Sequence, residues 1–112
     1  VSESRAQRLV AFTVDDSGHL LDQQLIRRFR EPGKPDGLAI DVDGNILQSL
    51  PGIRAIAYIN VDGKLLDLYH LPDWAPANIA FGGSDMKTVF VCGSAQNSIY
   101  QFRHPVAGAP LY

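Results

Sequence analysis

The sequence is short of the residues that would staple a small fold together. Its 112 residues include one cysteine, Cys92, which excludes an internal disulfide and a cysteine metal cage. The neighbours Val89-Phe90-Val91 predict a buried, inert thiol there. No apolar run approaches the roughly 20 residues that span a bilayer, and no basic n-region and apolar h-region mark a signal peptide. The formal net charge of −2 gives no electrostatic case for nucleic acid or an anionic membrane, so neither is an expected partner. His19, His70 and His104 stand at unrelated positions and form neither a zinc triad nor a dyad; solvated or capping roles are expected for them. Ser2, Ser4 and Ser17 lack a paired base or nucleophile elbow. A sustained helical period is missing throughout.

What remains is strand and turn. Hydrophobic residues make up 46% of the chain, enough for the core of one small domain. Arg8 to Val14 and Leu20 to Phe29 read as strands about the turn Asp15-Asp16-Ser17-Gly18, and the Glu31-Pro32-Gly33 break follows. Leu38-Ala39-Ile40 is a short apolar run closed by Asp43-Gly44-Asn45, a strand running into a hairpin turn. Pro35-Asp36-Gly37 stands at its entrance. Proline cannot donate to a ladder, so it marks where loop gives way to sheet and fixes the Asp36 carboxylate at a strand end. Asn45 to Leu50, Ile53 to Asn60, Leu65 to Leu71, Asn78 to Phe81, Thr88 to Cys92 and Ser98 to Phe102 complete an all-β pattern.

The pattern repeats. Pro35 corresponds to Pro76, Leu38-Ala39-Ile40 to Ile79-Ala80-Phe81, and Ile46-Leu47 to Val89-Phe90; Phe12, Tyr58 and Phe102 are likewise equivalent. The offsets, about 41 to 46 residues, are the period of a four-stranded propeller blade. Residues 1–30 then finish one blade, 35–71 make a full blade, and 76–112 supply most of a third. An isolated arc of this kind exposes two apolar faces that neighbouring blades normally cover. The chain starts at Val1, and its first residues read as the end of a strand. A fragment is therefore expected, completed by the rest of the propeller or by other copies of the chain.

The ordered set Pro35-Asp36-Gly37, Leu38-Ala39-Ile40-Asp41, Asp43-Gly44-Asn45, Asp62-Gly63-Lys64-Leu65-Leu66, Leu71-Pro72, Pro76-Ala77-Asn78-Ile79-Ala80-Phe81-Gly82-Gly83 and Met86-Lys87-Thr88-Val89-Phe90-Val91 resembles the senescence marker protein/gluconolactonase (regucalcin-like) family over nearly the whole chain. Propellers close with about four to eight blades. The resemblance implies six, so this chain would be the C-terminal part of a partial six-bladed β-propeller of about two and a half blades. It also implies hydrolysis of a small sugar lactone around a divalent cation, Ca²⁺ or Zn²⁺, in the central channel. Of that centre's protein ligands only the Pro-Asp-Gly aspartate has a counterpart here, Asp36. The site within this chain would be incomplete.

Asp36 is the expected metal ligand and a candidate general base. The two roles compete, because a cation stabilises the carboxylate and lowers its basicity. A plain alternative is an aspartate that caps the strand turn. Asn78, one position beyond the equivalent of Asp36 in the next repeat, either contacts substrate at the channel mouth or fixes its own loop. Asp73 and Trp74 lie in a loop that could line the pocket entrance, though Trp74 equally suits simple packing. Arg27, Arg28, Arg30 and Lys34 form a basic cluster about an outer strand, read as a solvated edge that discourages strand pairing or as a binding patch. Asp41 and Asp43 lack the later glutamate of an EF-hand loop. Two functions follow: part of a metal-dependent lactonase, or a non-catalytic propeller scaffold that binds a partner or small molecule.

Overall fold

A computed structural model describes residues 1–110 of the chain. It is all-β, with ten strands in three antiparallel sheets. The first sheet holds β1 (Ser2–Glu3), β2 (Arg8–Val14) and β3 (Leu20–Arg28) in sequence order. The second holds β4 (Leu38–Ile40), β5 (Ile46–Leu50), β6 (Ala55–Ile59) and β7 (Leu65–His70), again in order. The third holds β8 (Pro76–Gly82), β9 (Thr88–Gly93) and β10 (Ser98–Arg103). Each is an up-and-down meander, as a chain of short hairpins must be. No helix long and apolar enough to cross a membrane is present among the described residues.

Burial follows from stacking. β5 and β6 are buried at every residue, because the second sheet is covered on both faces; β6 accordingly reads as an unbroken apolar stretch, while β5 buries two polar residues, Gln48 and Ser49. One core cluster, Leu47, Ile56, Tyr58, Ile79, Val89 and Val91, joins the second sheet to the third. A second, Leu50, Ala57 and Ile59, takes Ile26 and Phe29 from the first sheet's side. β3 and β7, the last strands of their sheets, are mostly exposed.

The hairpin turns share one device. Asp15, Asp41 and Asn60 each open a turn whose fourth residue is glycine, and each side chain accepts two backbone N–H bonds across it. Asp15 Oδ1 accepts from Ser17 and His19, Asp41 Oδ1 from Asp43 and Asn45, and Asn60 Oδ1 from Asp62 and Lys64. A short polar side chain thereby completes the turn's own hydrogen bonding. At Gly63 the backbone takes a φ of +82° and a side chain would strike the Ile26 carbonyl, so glycine there lets the first sheet come close to the second.

After β10 the chain turns back along the third sheet and reaches the second. Val42 N–H donates to Ala107 O at 2.9 Å and Ala109 N–H to Ile40 O at 2.9 Å, enclosing an Asp41–Gly108 bridge. Cys92 is exposed, against the expectation of a buried thiol. On β9, Val89 and Val91 take the core face, which leaves Phe90 and Cys92 on the open one.

Candidate functional site

Pro35-Asp36-Gly37 extends β4 beyond its ladder. Asp36 N–H donates to Ser49 O at 3.1 Å, and Ser49 N–H to Gly37 O at 2.9 Å. The segment is also pinned from below. Gln48 is fully buried, and its Nε2 donates to the carbonyls of Asp36 at 3.1 Å, Gly37 at 3.0 Å and Ser49 at 3.1 Å. Its Oε1 accepts from Ser2 Oγ at 2.6 Å. Ser49 Oγ donates to Ala77 O at 2.5 Å. Two side chains of β5 thus tie the Asp36 segment to the sheets on either side. Nothing in the sequence singled them out, because their partners lie in other repeats.

The backbone of Asp36 is therefore fixed while its side chain stays exposed and makes no hydrogen bond among the described residues. Asn78 lies on the next strand over. Gly37 N–H donates to Ala77 O at 2.8 Å, and a β-carbon on Gly37 would stand 2.5 Å from Asn78 Oδ1. The two entrances are in van der Waals contact because residue 37 has no side chain. Asn78 Oδ1 itself accepts the Ile79 N–H at 3.0 Å.

These residues do not make a cation site by themselves. Ca²⁺ takes about six to eight oxygen ligands, and the described residues offer one free carboxylate here, with the nearby amide oxygen already engaged by its own strand. Among the described residues no three His, Cys, Asp or Glu side chains gather as ligands.

The loop residues divide. Asp73 is fully buried and accepts N–H bonds from Ala75 at 2.7 Å, Ala95 at 3.3 Å and Gln96 at 2.9 Å. It clamps the β7–β8 loop to the β9–β10 turn. Trp74 is 56% exposed, so packing does not account for it. His19 and His70 are exposed, with His19 Nδ1 3.0 Å from Asp15 Oδ2.

His104 departs from the expected solvated role. It is 1% exposed and sits in a buried polar cluster that sequence reasoning missed. Tyr58 donates its hydroxyl to Asp41 Oδ2 at 2.6 Å and accepts from Asn45 Nδ2 at 2.9 Å. His104 Nε2 lies 3.7 Å from the same Asp41 oxygen without a hydrogen bond, and its Nδ1 is 3.0 Å from the Tyr69 hydroxyl. Burial, reinforced by the bond to Asp41, pushes the Tyr58 hydroxyl up to about 12. Burial lowers the His104 pKa against the opposing pull of Asp41, so a neutral imidazole is favoured. The cluster joins the β4–β5 turn to the returning chain after β10, away from Asp36. The repeat of the Asp15 and Asn60 turns could have placed Asp41; no local signal marks His104.

Residues 1–95 match the family profile described as SMP-30/Gluconolactonase/LRE-like region. A 6-deoxy-6-sulfogluconolactonase of Pseudomonas putida is 32% identical over 91 residues, 80% of this chain and 31% of its own. A luciferin-regenerating enzyme superposes with a TM-score of 0.85 at 25% identity, covering 95% of this chain and 41% of its own. Regucalcin from Agrobacterium tumefaciens, a calcium-binding protein, superposes at 0.76 with 19% identity, covering 94% and 40%. That likeness concerns the fold, a β-propeller of which this chain is a part. The chain spans about a third of the length of the sulfogluconolactonase.

Proposed function

Because the chain belongs to the SMP-30/gluconolactonase/LRE-like family, we propose that it is the part of a sugar-lactone hydrolase that carries Asp36. Its three sheets would be consecutive blades, and the rest of the ring would come from a longer polypeptide or from other copies of the chain. One observation carries the assignment. Asp15, Asp41, Asp73 and Asp85 all spend their carboxylates on backbone N–H groups. Asp43 and Asp62 also keep free carboxylates, but on hairpin turns; Asp36 has a backbone tied to neighbouring strands on both sides and a carboxylate left free beside Asn78. That combination suits a group held in place for an external ligand.

Lactone hydrolysis joins a water oxygen to the ring carbonyl carbon and breaks the bond from that carbon to the ring oxygen. The proton lost by the water ends on the released hydroxyl. Asp36 can take that proton as water attacks and return it to the leaving oxygen. Asn78, across Gly37, would hydrogen-bond a sugar hydroxyl through its amide N–H groups, since its oxygen serves Ile79. Asp36 would also be this chain's one ligand to a divalent cation, Ca²⁺ or Zn²⁺, with the remaining oxygens contributed from outside the described residues.

The test combines native mass, Ca²⁺ and Zn²⁺ titration and gluconolactone hydrolysis for the wild type and Asp36→Ala. Cation binding and hydrolysis should occur in an assembly large enough to close a ring. Asp36→Ala should abolish the first and reduce the second by about 10²-fold or more, the usual contribution of a positioned base. An assembly whose cation binding and turnover ignore the substitution overturns the role of Asp36. A monomer without either activity leaves a non-catalytic scaffold.

A further inference from the structure

Away from Asp36, a half-open cleft of about 580 Å³ runs between the end of β3 and the outer half of the second sheet. Its floor is mostly aliphatic, with the half-buried Phe29 ring beside it. Leu50 and Ala57 are buried there, with Ile53 and Leu68 packed beside them. Arg27, Arg28 and Arg30 line it as well. Arg27 donates to the Gly63 carbonyl at 2.6 Å. Arg28 and Arg30 make no ion pair among the described residues, and the acid next to them in sequence, Glu31, lies 3.5 Å from Lys34 instead.

A solvated edge needs only charge. Here two unpaired guanidiniums stand over a largely aliphatic hollow whose size falls within the usual range for small-molecule sites, about 300–1,000 Å³. A guanidinium presents a planar fork that matches a carboxylate in two parallel hydrogen bonds. Apolar walls reduce solvent screening and strengthen that pairing. Among the described residues Phe29 is the one aromatic ring in an apolar lining otherwise supplied by Leu50, Ile53, Ala57, Leu65 and Leu68, so the floor favours a flexible alkyl body over an extended ring stack. A chain with a formal net charge of −2 thus sets free positive charge over an apolar floor here, whereas the other cleft of similar size, about 590 Å³, has no arginine or lysine in its lining among the described residues. We propose that this cleft binds a medium-chain alkyl carboxylate, its chain laid over Leu50, Ile53, Ala57 and Leu68 and its carboxylate held by Arg28 and Arg30.

The probe is decanoate, titrated calorimetrically into the chain below its micellar concentration, with acetate and decanol as controls. Decanoate should bind about tenfold or more tightly than either control, because each control lacks one of the two contacts. Its affinity should fall as salt is raised. The double variant Arg28→Gln/Arg30→Gln should lose at least about tenfold in affinity with an unchanged circular dichroism spectrum. Leu68→Asn should weaken decanoate without changing its salt dependence. Asp36→Ala should leave decanoate binding intact, which separates this site from the lactone site. The exposed Phe90 and Ile99 face offers decanoate an alternative, and the arginine variants tell the two apart. Equal affinity for wild type and double variant, equal binding of decanol, or no binding of decanoate overturns the proposal.

Discussion

The two joints between the three sheets are built from equivalent parts and are not equally tight. Between the second and third sheets, six buried residues interlock. Gly37 and Ser49 hydrogen-bond across to Ala77, and the chain after β10 returns to pair with residues 40–42. Between the first and second sheets, Ile26 and Phe29 are only partly buried. The polar ties are Ser2 to Gln48 and Arg27 to Gly63, and clefts of about 580 and 590 Å³ stay open. One repeat unit can therefore make a sealed contact or an accessible one. The difference lies in whether a third element returns to close the seam.

Paired truncations give the largest effect. Leu47→Ala should cost about 3 kcal/mol or more in urea unfolding, as deletion of a fully buried leucine does, whereas Ile26→Ala should cost about 1 kcal/mol because its pocket is already open. Equal costs would erase the distinction between the joints. Gly37→Ala, which drives a methyl group against Asn78 and the Ala77 carbonyl, should cost about 1–3 kcal/mol. It should also shift the Asn78 amide resonance more than that of Asn60.

The sealed joint should also respond to pH. The folded state resists protonating His104, because burial lowers its pKa, while an unfolded histidine takes up a proton near pH 6.5. Below that pH the unfolded state binds more protons, so stability should fall on acidification, by at most about 1.4 kcal/mol per pH unit. His104→Gln should flatten this slope between about pH 6.5 and 5. A slope unchanged in the variant would assign it to other groups. The smallest effect belongs to the open joint: Arg27→Ala removes one partly buried hydrogen bond to Gly63 and should cost about 0.5–1.5 kcal/mol in the same unfolding assay.

What the sequence revealed was local or periodic. The Asp15, Asp43-Gly44 and Asp62-Gly63 turns, the strand entrance at Pro35 and the equivalence of Pro35 with Pro76 depend on residues a few positions apart or on spacing. Asp41 with His104 and Gln48 with Ser2 escaped it, because each pair meets only when separate sheets stack; Asp73 with Gln96 escaped it because the two loops meet only once the third sheet has formed. Cys92 was misjudged for a related reason. Its apolar neighbours said that β9 was buried, and only the stacking decides which of its faces is covered. Asp36 was placed correctly at a strand end. Its freedom from hydrogen bonds emerges only against the engaged carboxylates of Asp15, Asp41 and Asp73.

The contact of Gly63 with β3 also bears on curvature. The number of units that completes a circle is set by the wedge angle between neighbours, and that angle depends on how closely their outer strands approach. At position 63 the outer approach is limited by backbone against backbone, with the Ile26 carbonyl facing a residue that has no β-carbon. Any side chain there would act as a shim, opening the outer rim and leaving the axis where it was. A single missing methyl group thus helps fix the arc that each sheet subtends.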